Sequence, residues 1–302
     1  MSYRLRPGAK LTREIRRIAT EQYRQAIAVL RTQPDGEAEA IHDARKCFKR
    51  LRGLMRLISG AAPDFAAREN ARLRDAARTL SQLRDATALV EALDHLIESE
   101  ATADNHEVLF GIRSRLAERR DRIAAADTAG AERITAAISA CEAGIAALDG
   151  LSLPGKRARA AKLVSRGVAK NYGRAVSALE TALASGDPAH WHDLRKRIKY
   201  HRMHVQLLGA LWPGEMALRA DVADLAGEAL GDDHDLVTLD ALIAADPDTL
   251  GTTDEIAVLR GCMAARATRL HAQVRDLVTN LLADDRKLVE RRIEALYKDA
   301  AD

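Results

Sequence analysis

HDARKCFKRLR, running from His42 to Arg52, recurs 150 residues later as HDLRKRIKYHR, from His192 to Arg202. Both copies read H-x-x-R-K-x-x-K-x-x-R, and both set an Asp directly after the His. An α-helix turns about 100° per residue, so His42, Arg45, Lys46, Lys49, Arg52 and Arg56 share an arc of about 120°. The other side carries Ala44, Cys47, Phe48, Leu51, Leu54, Met55 and Ile58. The pattern predicts an amphipathic helix with a core stripe on one face and a cationic strip about 20 Å long on the other. In the second copy His192, Arg195, Lys196, Lys199 and Arg202 line one side, opposite Leu194, Ile198, Val205 and Leu208. Like charges at i,i+4, as at Arg45 and Lys49 or Lys46 and Arg50, repel. A polyvalent anion relieves that repulsion and releases its own counterions on binding.

The repeat extends beyond the motif. At the same offset Arg16 matches Arg166, Arg24 matches Arg174, Leu80 matches Leu230, Asp85 matches Asp235 and Leu89 matches Leu239. Such a match across successive segments indicates duplication of a whole unit. Gly, Pro and Ser clusters divide the chain into helical stretches. In the first half these run from about Leu11 to Arg31, Ala38 to Ile58, Asp64 to Leu80, Arg84 to Ser99, and Asn105 to Leu148 with a break near Gly130. The second half starts with Lys156 to Ala184 and Ala189 to Leu211. A third helix from Glu215 to Leu230, a separate fourth from Asp235 to before Pro247, and one long stretch from Thr253 to Tyr297 complete it. The expected fold is all-α: two antiparallel helical bundles of about four helices each, related by a pseudo-twofold axis around a basic central groove. Residues 1–150 form the first repeat and residues 151–302 the second.

Composition supports helices over sheets, since aromatics are only 3% and charged residues 30%. Net charge is +3, so an anion site must come from local segregation. Ile41 to Arg56 holds six basic residues against Asp43 alone, whereas Gly209 to Gly251 holds ten acids against Arg219 alone. Cys47, Cys141 and Cys262 are too widely spaced for a disulfide framework or zinc site, and suit a reducing compartment. The opening lacks an apolar stretch and no long apolar run follows, so a cytoplasmic chain with no membrane span is expected.

The first helix of each half adds basic residues, with Arg13, Arg17 and Arg24 on one and Lys162 and Arg166 on the other as additional candidate anion contacts. Arg offers a planar fork to phosphate oxygens and Lys a mobile point charge, so a mixed strip suits a flexible chain of phosphates. A nucleic-acid phosphate backbone is the alternative ligand. No aromatics interleave with the strip, which gives base stacking little support. An enzyme reading would rest on Gly231-Asp232-Asp233-His234-Asp235, yet no second Asp-rich motif is spaced to share a cation. No catalytic residues, metal or cofactor are expected. Oligomeric state is not legible.

The twin helices resemble the signature of the CHAD family, a histidine α-helical domain. The opening from Tyr3 to Leu30 is similar to that family's first helix, and LSQLRDATALVEAL, from Leu80, resembles its Leu-x-x-x-Arg-Asp segment. The second half reads LGDDHDLVTLDAL there, with His234 where the first has Arg84. The resemblance implies a non-enzymatic module that binds inorganic polyphosphate and associates with polyphosphate granules. It implies ligand contacts at His42, Arg45, Lys46, Lys49, Arg52, His192, Arg195, Lys196, Lys199 and Arg202. Arg56 is added by its helical face, though its counterpart is Gln206. Arg84 is an additional candidate contact. Asp85 and Asp235 fit a supporting role, orienting basic side chains, or else are acids favoured at helix N-termini.

Overall fold

The computed structural model describes residues 3–80 and 82–300, with side chains described except at 82–84 and 247–248. The described chain is helical, with no strand. The helices are α1 (Leu11–Thr32), α2 (Glu37–Ile58), α3 (Pro63–Thr79), α4 (Gln82–Glu100), α5 (His106–Ala126) and α6 (Gly130–Ala147) in the first half. The second has α7 (Arg157–Ser185), α8 (Pro188–Leu207), α9 (Pro213–Ala245), the single turn α10 (Pro247–Leu250), α11 (Thr253–Leu281) and α12 (Arg286–Asp299).

Helix ends follow local chemistry. Pro63, Pro188 and Pro213 open their helices, where a missing N–H costs nothing. Gly186 ends α7 in the left-handed conformation, with φ 66°. The Asp187 side chain accepts from the Ala189 N–H at the start of α8. Thr252 and Glu255 form a reciprocal capping box on α11.

Two expectations need correction. The second half has no separate third and fourth helices. Instead α9 runs unbroken for 33 residues through Gly231. A glycine inside a helix costs roughly 1 kcal/mol relative to Ala and does not end it unless the flanking chain turns away. Here Ala223, Ala226, Ala229, Leu230 and Leu236 stay buried on both sides of Gly231, so packing holds the helix straight through. The long closing helix is also two helices. The chain turns after Leu281, and Asp285 caps α12 by accepting from the Lys287 and Leu288 N–H groups. Among the described residues each half therefore has six α-helices rather than about four, and a 3-10 turn at Leu148–Gly150 closes the first.

Helices α1 and α2 pack together, as do α7 and α8, and α2 lies against both α7 and α8. On the outside α6 covers α1 and α3, and α12 covers α7. Helix α9 follows α8 and continues onto α4 and α11, while α5 packs on α4 and α11. Buried side chains from both halves form one continuous core. The apolar stripe expected on α2 is buried throughout, from Ala44 to Ile58.

Small residues set the closest crossings. A Cβ at Gly167 on α7 would lie 2.3 Å from the Leu57 carbonyl oxygen of α2. At Gly53 it would lie 3.0 Å from Met203 Sδ, so α2 and α8 meet at a Gly facing a Met. Beside that crossing the His204 ring approaches the Gly53 carbonyl at 3.1 Å. The N-terminal residues also join the second half, through a Leu5 N–H donated to the Leu207 carbonyl at 2.8 Å.

Candidate functional site

Helices α2 and α8 are amphipathic, so burying their apolar stripes turns both cationic faces toward the space between the halves. Two adjoining cavities open there, of about 500 and 580 Å³. All eleven residues of the two basic strips line one or both, including Arg56. His42, Lys49, Arg195 and Lys199 line both. Together the walls carry ten Lys and Arg side chains against five carboxylates. The positive excess survives the acids that α9 contributes.

Each copy uses the Asp after its His in the same way. Lys46 pairs with Asp43 at 2.9 Å and Lys196 with Asp193 at 3.0 Å. These are exposed pairs, worth up to about 1 kcal/mol, and they aim the lysine stems rather than stabilise the fold. Elsewhere the copies differ. Arg202 is tied to Asp224 of α9 at 2.5 Å, while its counterpart Arg52 makes no ion pair with the described residues, and Arg45 donates to the Ala77 carbonyl at the end of α3 at 2.7 Å. The Arg56 guanidinium lies over the Tyr200 ring, 4.2 Å from its centroid, a cation–π contact between the halves. The Nε atoms of Arg52, Arg56, Arg195 and Arg202 are buried without a hydrogen-bond partner among the described residues.

Crowding shows in the protonation of the walls. Burial, with Arg195 and Lys49 next in effect, brings Lys199 down to about 7, against an opposing pull from Asp235. Lysines from the two copies thus feel each other. Burial also lowers Arg195, and Asp235 is the acid that most offsets it. His192 and His234 face each other with Nδ1 atoms 3.1 Å apart. Burial and nearby cations lower both, His234 to about 4. A bound polyanion would reverse these shifts, since an opposite charge favours the protonated forms.

The supporting acids separate. Asp235 lies well inside α9, so the helix-terminus account does not apply to it, and it acts on Arg195 and Lys199. Asp85 is in the first turn of α4, where that account does apply, and it also reaches the cavity wall. The Arg84 side chain lies outside the described residues. Arg13, Arg17, Arg24, Lys162 and Arg166 do not line either cavity. Arg17 is held by Glu14 at 2.7 Å and Glu21 at 3.0 Å, and Arg166 pairs with Glu290 at 3.4 Å.

Of the wall supplied by α9, sequence reasoning named Asp235 and missed Asp224, Gly227, Glu228, Gly231 and Asp232. Gly227 and Gly231 present no side chain there, leaving room for the Lys199 stem and the Arg195 guanidinium. The signal was a pair of glycines one helical turn apart within an apolar helix. The acidic stretch is largely spent inside the molecule. Asp224 holds Arg202, Asp232 holds Arg266 at 3.0 Å, and Asp233 holds His271 at 2.8 Å.

A family model for the CHAD domain matches residues 16–244. The chain belongs to the CHAD family. No curated protein matches it. Among solved structures, PptA from Streptomyces chartreusis is similar, with 16% identity and a TM-score of 0.55 over 94% of this chain and 99% of that one. At that identity the likeness bears on the fold alone. The matched region of this CHAD chain ends at the close of α9, so α11 and α12 lie beyond it. Among the described residues, no helix is long and apolar enough to cross a membrane.

Proposed function

We propose that this CHAD protein is a non-enzymatic binder of inorganic polyphosphate. The ligand would lie in a basic groove between two halves related by a pseudo-twofold axis, and granule association would follow from that binding. One observation carries the reading: basic residues repeated at a 150-residue offset line the same pair of adjoining cavities. A chain of phosphates in this space meets Arg45, Lys49, Arg52 and Arg56 from α2 and Arg195, Lys196, Lys199 and Arg202 from α8. His42, Lys46 and His192 complete the wall. The duplicated cation pattern matches a ligand whose own charge repeats along its length, and each neutralised phosphate adds counterion release to the affinity.

The test is the quadruple variant Arg45→Glu, Lys49→Glu, Arg195→Glu, Lys199→Glu. It should remain helical by circular dichroism and lose binding to long-chain polyphosphate. A folded variant that binds normally would place the ligand elsewhere. Competition against duplex DNA at physiological salt decides the ligand class, with polyphosphate expected to displace DNA. Release of orthophosphate from polyphosphate by the protein alone would overturn the non-enzymatic reading.

A further inference from the structure

A third and larger cavity, about 1220 Å³, lies on the flank of the second half between α7, α8 and the turn into α12. Arg56, Lys196 and Tyr200 form a wall common to it and the central cavities. Lys170 and Arg174 stand one turn apart on α7, and Arg286 joins them from the start of α12. Gly173 sits between the two α7 cations. The Arg286 Cδ lies 2.8 Å from where a Cβ would stand there, so this glycine lets the arginine lie across α7. None of these three cations makes an ion pair with the described residues, although carboxylates share the groove. Asp193 is engaged by Lys196 and Arg197. Asp284 is engaged by Arg219 and Arg292, and Asp285 caps α12. Glu180 is the remaining acid of the groove.

Resting on the polyphosphate reading above, we propose that this flank groove is a second polyphosphate subsite. A long chain would leave the central cavities over the Arg56–Tyr200 sill and continue along Lys170, Arg174 and Arg286. Asp193 and Asp284 are committed to neighbouring cations and Asp285 to the α12 cap, so Glu180 alone stands against three cations that make no ion pair with the described residues, and the groove stays positive. The first-half positions at the 150-residue offset from Lys170, Arg174 and Arg286 are Thr20, Arg24 and Ala136, so only one of the three cations has a counterpart. The path is therefore one-sided, and only a chain longer than the central cavities would use it.

The test is the triple variant Lys170→Glu, Arg174→Glu, Arg286→Glu, assayed against inorganic tripolyphosphate and long-chain polyphosphate. Long-chain affinity should fall at least 10-fold. Its log–log salt slope should shrink by about 2, as expected when three phosphates lose their partners. Tripolyphosphate affinity should stay within 2-fold. Unchanged long-chain affinity in the folded variant overturns the groove and leaves the central site standing. No polyphosphate binding by the wild-type protein overturns both. Loss of duplex DNA binding with polyphosphate binding intact also overturns the proposal, as a nucleic-acid surface. If the Glu variant does not fold, Lys170→Gln, Arg174→Gln, Arg286→Gln should show the same chain-length dependence with a smaller loss, and equal long-chain affinity in that variant overturns it.

Discussion

Lys199 sits where the two cationic faces come together, and its ammonium is already half released near neutral pH. A phosphate chain restores the proton, so affinity should be highest below about pH 7 and decline as pH rises past it. Calorimetry in buffers of differing ionisation enthalpy should detect net proton uptake on binding near neutral pH. Lys199→Arg should flatten the decline, because Arg stays charged across this range. His201 and His204 behave differently. Both are buried in the core, and burial holds them near 3 and 4, against 6.5 in the open chain. The unfolded chain then binds more protons as pH drops, so stability is lost as pH falls from about 6.5 toward 4. The slope is on the order of 1 kcal/mol per pH unit for each imidazole. Denaturant titrations between pH 7 and 4 should show it, and His201→Leu should remove part of it.

Gly227 of α9 and Gly167 of α7 show how a helical glycine carries opposite meanings. Gly227 has only the Lys199 Cγ within 4.0 Å of an added Cβ. Gly227→Ala should therefore stabilise the protein by roughly 0.5–1 kcal/mol through helix propensity alone. Gly167→Ala should cost about 1–3 kcal/mol, because the Leu57 carbonyl occupies the space and backbone must move. Thermal melts of the two variants should move in opposite directions. The same distinction explains what the amino-acid sequence reveals. The ends of α1, α2, α3 and α7 were legible to within a residue or two because Pro and Gly act locally on the backbone. So was the identity of the cavity-lining strips, because a helical face is a local property. The course of α9 was not legible, since Gly231-Asp232-Asp233 resembles a stop unless its buried neighbours are known. Of the carboxylate wall only Asp235 was legible, from its match to Asp85; Asp224, which holds Arg202, has no acidic counterpart in the first half to mark it.

At the scale of the whole molecule, the continuous core ties the halves together. Arg16 of α1 donates to the Asp149 and Leu151 carbonyls at 2.8 and 2.7 Å, and the Thr12 hydroxyl bonds the Leu153 backbone, so the link itself is pinned. Residues 151–302 expressed alone would expose the face that α2 covers. They should melt without a cooperative transition and regain one when mixed with residues 1–150. A cooperative melt of the isolated half, matching the full chain, would show that each half is self-sufficient. The Gly53–Met203 crossing carries the point further. Positions 53 and 203 differ by 150, the offset of the repeated motif, and the residue is small on α2 and large on α8. Two first halves crossing this way would leave a void between glycines, and two second halves would press methionine on methionine. The two faces are complementary like key and lock, and neither would pack as closely against a copy of itself.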